Sequence, residues 1–167
     1  EPGGVPAAER VRELVKDPDL VLGPRAEALL YAAARAQLIE EALDPLLDRG
    51  AWVLVDRFVD SSLAYQGAGR NLGIEPVREI NQFATGGLVP DRTLLLSLDP
   101  SLGRARLRAR SDLLDRLERE HNDFHARIAR TYAQLAASDP DRIRTIDAAQ
   151  PRDQVLGDAL DALSDLI

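Results

Sequence analysis

The sequence predicts an α/β fold organised on a parallel sheet, with its chemistry at the carboxyl ends of the strands. Three short apolar runs carry that prediction: Trp52-Val53-Leu54-Val55, Thr93-Leu94-Leu95-Leu96-Ser97-Leu98 and Ile143-Arg144-Thr145-Ile146-Asp147. The first is too short for an independent helix and reads as a buried strand. Long stretches with helical patterns separate the three. A hairpin needs only a few linking residues, whereas parallel strands need a crossover. The first run stops at Asp56-Arg57, and Ser61, Ser62, Tyr65 and Gln66 follow within one or two turns. Ligands of open parallel sheets sit beyond the carboxyl ends of the strands, so this junction is the expected site.

Taken in order, Glu1-Pro2-Gly3-Gly4-Val5-Pro6 is a loop by its proline and glycine content. Ala7 to Lys16 reads as a helix with Val11, Leu14 and Val15 on one face, ended by Asp17-Pro18-Asp19. Pro24 to about Arg49 is a long alanine-rich helix, and Pro24 suits a first helical position. Its apolar residues are spread almost all round, as in a helix buried on several sides. Pro45 should kink or divide it. Within it, Tyr31 and Arg35 lie one turn apart on one face. A ring and a guanidinium at that spacing could take a base and a phosphate from one nucleotide. On spacing alone the stronger reading is a core tyrosine beside a surface arginine.

After the first run, a serine-rich turn enters a short helix, and Gly67, Gly69, Asn71 and Gly73 mark a loop. Ile74 to Phe83 reads as a helix with Val77, Ile80 and Phe83 apolar, stopped by Gly86-Gly87. Asp99 and Pro100 close the second strand and begin a helix that Asp99 caps. Next comes a basic stretch in which Arg104, Arg106, Arg108 and Arg110 alternate, and Arg116 and Arg119 follow. Asp112, Asp115, Glu118 and Glu120 are interleaved with the later ones. By itself this describes a solvated helix laced with ion pairs. The last helix runs from about Pro151, with Val155, Leu156, Ala159, Leu160 and Leu163 facing inward.

Composition sets bounds. At 167 residues, 45% of them hydrophobic, the chain has one domain's length and can bury a sizeable core. It has no cysteine, which excludes disulfides, thiolate metal sites and cysteine nucleophiles and fits a reducing compartment. No apolar run approaches the roughly 20 residues of a membrane span. The first residues have neither the basic start nor the apolar core of a signal peptide. A formal charge of −7 argues against a nucleic-acid surface. Lys16 is the only lysine among the basic residues, a bias that a GC-rich coding sequence accounts for. There is no methionine, even at position 1, which suggests a fragment or a chain that starts upstream.

Four segments, in order, carry a resemblance. Asp56-Arg57-Phe58-Val59-Asp60-Ser61-Ser62-Leu63-Ala64-Tyr65-Gln66-Gly67 resembles the signature of bacterial thymidylate kinases. Glu1-Pro2-Gly3-Gly4 is similar to that family's loop after its second strand, with Val5 where the family usually has threonine. The stretch from Ala26 to Gln37 resembles the helix lining its acceptor site. Phe83-Ala84-Thr85-Gly86-Gly87-Leu88-Val89-Pro90-Asp91 resembles the approach to its fourth strand. Likeness runs over essentially the whole chain. It implies a P-loop nucleoside-monophosphate-kinase-like fold of three layers around five parallel strands. Residues 1–167 would form a single domain of it, with an arginine-rich lid at about 104–120. The family's first strands and glycine-rich phosphate loop have no counterpart here and would lie before Glu1. These residues alone are therefore expected to expose apolar surface beside the sheet and not to turn over ATP.

The resemblance implies ATP-dependent phosphorylation of dTMP to dTDP with magnesium, in a cytoplasmic homodimer without nucleic-acid or membrane partners. It places an aromatic at Tyr31 on thymine and Arg35 towards the phosphate side of the monophosphate. A tyrosine in place of the more usual phenylalanine brings a hydroxyl that needs a partner. Arg57 would grip the 5′-phosphate. Asp56 would orient the acceptor or hold a magnesium-bound water, unless it is only a helix cap. Ser62, Tyr65 and Gln66 would meet the base edge and the sugar. Arg108, Arg110 and Arg116, the last within Asp115-Arg116-Leu117-Glu118, would supply cations to the transferring group. Ala148 and Gln150 would lie beside the ATP adenine, and no protein metal ligand is assigned. Two alternatives stand beside this: a kinase of another nucleoside monophosphate, and a non-catalytic module that binds nucleotide or a partner.

Overall fold

The computed structural model describes residues 1–109 and 115–167, and the backbone alone at 100, 104 and 107–109. It forms two compact units, Glu1–Val89 with Leu114–Thr131, and Pro90–Leu113 with Tyr132–Ile167.

The first unit is helical. Helix α1 (Pro6–Lys16) and helix α2 (Pro24–Leu38) each begin on a proline, which gives up only an amide that the first turn leaves unbonded. The predicted long helix does run past Leu38, but through a π-turn at Ile39–Leu43 into α3 (Asp44–Leu47). Pro45 lies just beyond the widened turn. Its ring would clash with the carbonyl four residues back in a regular α-helix, and the wide turn relieves that clash. Val5, Ala8, Ala34, Leu38, Ile39, Leu43 and Phe58 form the core, with Val53, Val55 and Leu88 packed on it.

Trp52–Val55, expected as the central strand, pairs with no other strand among the described residues. It still alternates like an extended chain: Trp52 is 67% and Leu54 95% exposed, while Val53 and Val55 lie on the core. The chain then bends at Asp56-Arg57 and enters α4 (Val59–Ser62).

A second correction concerns Gly67 and Gly69, expected in a loop. Both lie inside a helical segment, the π-turn Leu63–Gly69. They mark close packing, not a bend. A Cβ on Gly69 would meet the Phe124 ring at 2.7 Å, and one on Gly67 would meet Ile74 at 3.1 Å. The turn itself is made at Asn71 and Gly73, both with positive φ. Helix α5 (Ile74–Thr85) follows, stopped by Gly86 and Gly87 at φ 59° and 86°. Its buried face runs through Val77, Asn81 and Thr85, and Phe83 is 92% exposed.

The second unit holds a parallel two-stranded sheet. Strand β1 (Thr93–Ser97) pairs with β2 (Ile143–Asp147) from Thr93 opposite Ile143 to Ser97 opposite Asp147. Between them come α6 (Pro100–Ala109) and α7 (Asn122–Ser138). Asp99 caps α6 as predicted, its carboxylate accepting from the Ser101 amide at 2.8 Å and from the Ser101 hydroxyl. Helix α8 (Arg152–Asp161) corrects a third expectation. Leu156 and Leu160 are 58% and 53% exposed, and only Val155 and Ala159 are half-buried within it. Two strands offer α8 a narrow platform, too narrow for a wide apolar stripe.

Gly69→Ala should destabilise the protein by about 1–3 kcal/mol, because the Phe124 ring is buried and cannot move aside freely. Chemical denaturation followed by circular dichroism measures this, and an unchanged midpoint would contradict the packing described.

A candidate acceptor site around a buried carboxylate

Helix α2 carries Glu27, Tyr31 and Arg35 at one-turn spacing, so the three share a face. Glu27 is 0% exposed. An isolated carboxylate at such a position would be costly, and it is met from three directions. Gln66 donates its amide Nε2 at 2.9 Å. Arg70 donates Nε at 3.1 and 3.2 Å to the two oxygens, and its Nη2 lies 3.0 Å from Oε2 as an ion pair without a hydrogen bond. Arg116 brings Nη1 to 2.6 Å. Arg70 also pairs through Nη1 with Glu120, and Arg116 donates Nε to the Val15 carbonyl at 3.1 Å.

Arg116 is held in place by its own turn. The Asp115 carboxylate accepts from the Glu118 amide at 2.9 Å, and Glu118 accepts from the Asp115 amide at 3.0 Å. This is a reciprocal capping box. Lys16 sits 3.5 Å from Asp115 and ties the turn to the end of α1.

These contacts set the protonation states. Burial pushes the Glu27 carboxyl up, but hydrogen bonds from Arg70, Gln66 and Arg116 outweigh it and hold the carboxyl below its ordinary range. Burial pulls Arg70 down, and its bonds to Glu27 and Glu120 raise it above the usual value. The Tyr31 hydroxyl is pushed up to about 12, chiefly by burial and then by the Glu27 charge. Tyr31 thus enters the site as a neutral hydroxyl.

Arg35 is buried, 1% exposed. It pairs with Glu1 at 2.7 Å, donates to Asn81 Oδ1, and reaches the Phe58 carbonyl at 3.4 Å. Its guanidinium lies 5.4 Å from the Phe58 ring centre. Its Nε has no hydrogen-bond partner among the described residues. Asp56 and Arg57 are exposed, and Arg57 adopts φ 69°. Its guanidinium lies over the Tyr65 ring at 5.3 Å. Tyr65 meets Phe124 edge-on at 6.1 Å, and Arg70 covers Phe124 from 4.9 Å. Ser62 is buried one turn before Gln66. Arg116 reaches Glu27, one turn from Tyr31 on the same face, and the charges of Arg116 and Arg57 both act on the Tyr31 hydroxyl. A cavity of about 220 Å³ opens beside Asp56, lined by Gly3, Gly4, Glu9, Arg12 and Val53. Among the described residues no three carboxylates or histidines gather to hold a metal.

Ala148 and Gln150 follow β2 in the second unit. The Ala148 amide donates to the Ser97 carbonyl at 2.8 Å, closing the ends of the two strands together. Gln150 donates Nε2 to the Asp147 carbonyl at 3.2 Å and to Asp158 at 2.9 Å. Arg106 donates to the Ala148 carbonyl at 3.2 Å. The Arg108 side chain and the whole of Arg110 lie outside the described residues.

Sequence reading missed Glu27, Arg70 and Asn81. A signal for two of them existed: Glu27 stands one turn before Tyr31, and Arg70 one turn after Gln66. Nothing in the sequence pairs those two turns.

Comparison with known proteins agrees over nearly the whole chain. Residues 1–158 match the thymidylate kinase family. Thymidylate kinase of Deinococcus radiodurans is 48% identical over 165 residues, 99% of this chain and 80% of that protein. The enzyme of Lactobacillus delbrueckii is 49% identical over 158 residues, 93% of this chain and 74% of its own length. That of Enterococcus faecalis is 50% identical over 150 residues, 89% and 71% of the two chains.

The Glu27 cluster generates a pH prediction. A carboxyl held below its ordinary value stabilises the fold above that value and loses this contribution as pH falls through the depressed one. Glu27→Gln should cost about 3–5 kcal/mol at neutral pH, because it takes the anion from the half-buried Arg116 and one of the two carboxylates that pair with Arg70. The gap between variant and wild type should narrow as pH is taken below 4.5, the ordinary value of this carboxyl. Urea denaturation across that range checks it, and a gap independent of pH would contradict the assignment.

Proposed function

The chain belongs to the thymidylate kinase family, and on that premise we propose that the site around Tyr31, Arg57 and Gln66 binds dTMP for ATP-dependent phosphorylation to dTDP. The observation that carries this reading is the convergence on one neighbourhood of an aromatic face, an exposed guanidinium and a held amide. Tyr31 offers a ring for the base, and Arg57 stands exposed with its guanidinium over the Tyr65 ring.

Phosphoryl transfer asks the protein to align groups and neutralise charge more than to form bonds. Arg57 takes the acceptor's 5′-phosphate and fixes its direction, and Tyr65 limits where that guanidinium can swing. Tyr31 packs on the base, Gln66 meets the base edge, and Ser62 lies a turn away towards the sugar. Arg35 acts from the phosphate side, anchored by Glu1 and Asn81. Arg116 is held by Nη1 on Glu27 and Nε on the Val15 carbonyl, and its buried Nη2, which has no hydrogen-bond partner among the described residues, is the nitrogen left for the transferring group. Asp56, an exposed carboxylate beside the cavity, fits the role of receiving a magnesium-bound water or orienting the acceptor. Magnesium ATP supplies the phosphoryl group and screens its charge. In the second unit, the β2 loop at Ala148 and Gln150 fits the nucleotide's base, lying where parallel sheets receive ligands. Roles for Arg108 and Arg110 rest on the family resemblance. No described helix is long and apolar enough to cross a membrane. On the family resemblance we place the protein in the cytoplasm as a homodimer.

Arg57→Ala should weaken dTMP binding at least about tenfold, the worth of one charge-assisted contact to phosphate. Because the side chain is exposed, the variant should keep its thermal midpoint. Isothermal titration with dTMP decides: unchanged affinity in a folded variant, or no binding by the wild type, overturns the reading.

A further inference from the structure

We propose that Glu27 is a specificity-determining positioning residue: by accepting the Gln66 amide it fixes which end of that amide the base meets. The inference rests on the reading above, in which Gln66 faces the base edge.

A glutamine amide has a donor end and an acceptor end of nearly equal shape. Free to rotate, it offers either to a ligand and cannot tell a ring N–H from a ring nitrogen lone pair. Gln66 is not free. It is 2% exposed, and its Nε2 lies 2.9 Å from Glu27 Oε1. An ionised carboxylate only accepts, so the amide must present its nitrogen to Glu27. The reverse orientation would set a carbonyl oxygen against a buried anion. Glu27 cannot turn away either, because Arg70 and Arg116 hold it through its two oxygens. The Gln66 carbonyl oxygen is therefore the end left for a ligand.

That oxygen selects by chemistry. Thymine and uracil carry a ring N–H between two carbonyls and can donate to it. Cytosine carries a lone pair at the same ring position and would repel it. A site that must hydrogen-bond a ring N–H rejects an analogue lacking it far more strongly than an apolar pocket rejects a missing methyl. Glu27 touches no base and works through Gln66, so its signature is a change in discrimination and not merely in affinity.

Two variants test this. Glu27→Asp keeps the charge between Arg70 and Arg116 but draws the carboxylate back from Gln66 by one methylene. Glu27→Gln keeps the length and can donate as well as accept. Affinities for dTMP, dUMP and dCMP are measured by isothermal titration on wild type and on each variant that retains a cooperative melt. The dTMP-to-dCMP preference should fall at least tenfold, while the dTMP-to-dUMP preference, set by the methyl group, stays constant. Gln66→Ala should lower the first preference as much, and adding it to Glu27→Asp should cause no further loss. An unchanged dTMP-to-dCMP preference in the folded Glu27→Asp variant overturns the inference and leaves the functional reading intact. So does a parallel fall in both preferences, which would mark a loosened site. A wild type that binds dTMP no better than dCMP overturns both.

Discussion

The first unit depends on one buried negative charge. Taking a carboxylate out of water costs several kcal/mol even after relaxation, and partial compensation would leave Glu27 a liability. Its compensation is drawn from far along the chain: Gln66 and Arg70 from a π-turn and its exit, Arg116 from the capped turn after α6. Arg116 also holds one carbonyl in the last turn of α1, that of Val15. None of these segments can move without unpairing a buried charge. The cluster is therefore a constraint on geometry, and the helix bearing Tyr31 inherits that constraint.

The same chemistry explains why arginine stands at these positions, whatever sets the bias across the chain. Arg70 addresses two carboxylates at once, with Nε and Nη2 on Glu27 and Nη1 on Glu120, while its flat face covers Phe124. An ammonium group is a single compact charge and could not fork in this way or stack. The arginines divide by burial. Arg35 is buried and Arg70 and Arg116 are half-buried, each tied to a carboxylate, whereas Arg57 is exposed.

Local signals made most of the fold legible. Prolines at helix starts, Gly86-Gly87 as a stop, Asp99 as a cap and the two strands with their parallel sense all follow from the sequence, because each depends on a few adjacent residues. What failed depended on distant partners. Trp52–Val55 has the apolar pattern of a strand, yet a strand also needs a neighbour, which pattern cannot supply. Gly67 and Gly69 look like a loop until Phe124 is known to press against the backbone there. Leu156 and Leu160 look inward until the sheet beneath them proves narrow. The site divides likewise. Tyr31, Arg57 and Gln66 could be named as candidates from the family resemblance. That Glu27 holds Gln66 could not, since those residues meet only after α2 and the π-turn pack.

The exposed guanidinium of Arg57 rests on a strained backbone, and the strain must be held from both sides. A non-glycine residue at φ 69° costs about 1–3 kcal/mol and persists only where its neighbours over-determine it. Here Val53 and Val55 pin the chain before the bend, and Phe58, 9% exposed, pins it after. Phe58 does more than fill space. Its ring and carbonyl both receive Arg35 of α2, whose remaining bonds run to Glu1 and Asn81. The bend is thus fastened to the same helix that Glu27 fastens to the π-turn. Tyr31 stands on that helix between the two anchors, four residues from each, so the placement of the ring and of the Arg57 backbone is one mechanical problem with one solution. A site that must hold a base and a phosphate at a fixed separation needs that rigidity in the frame.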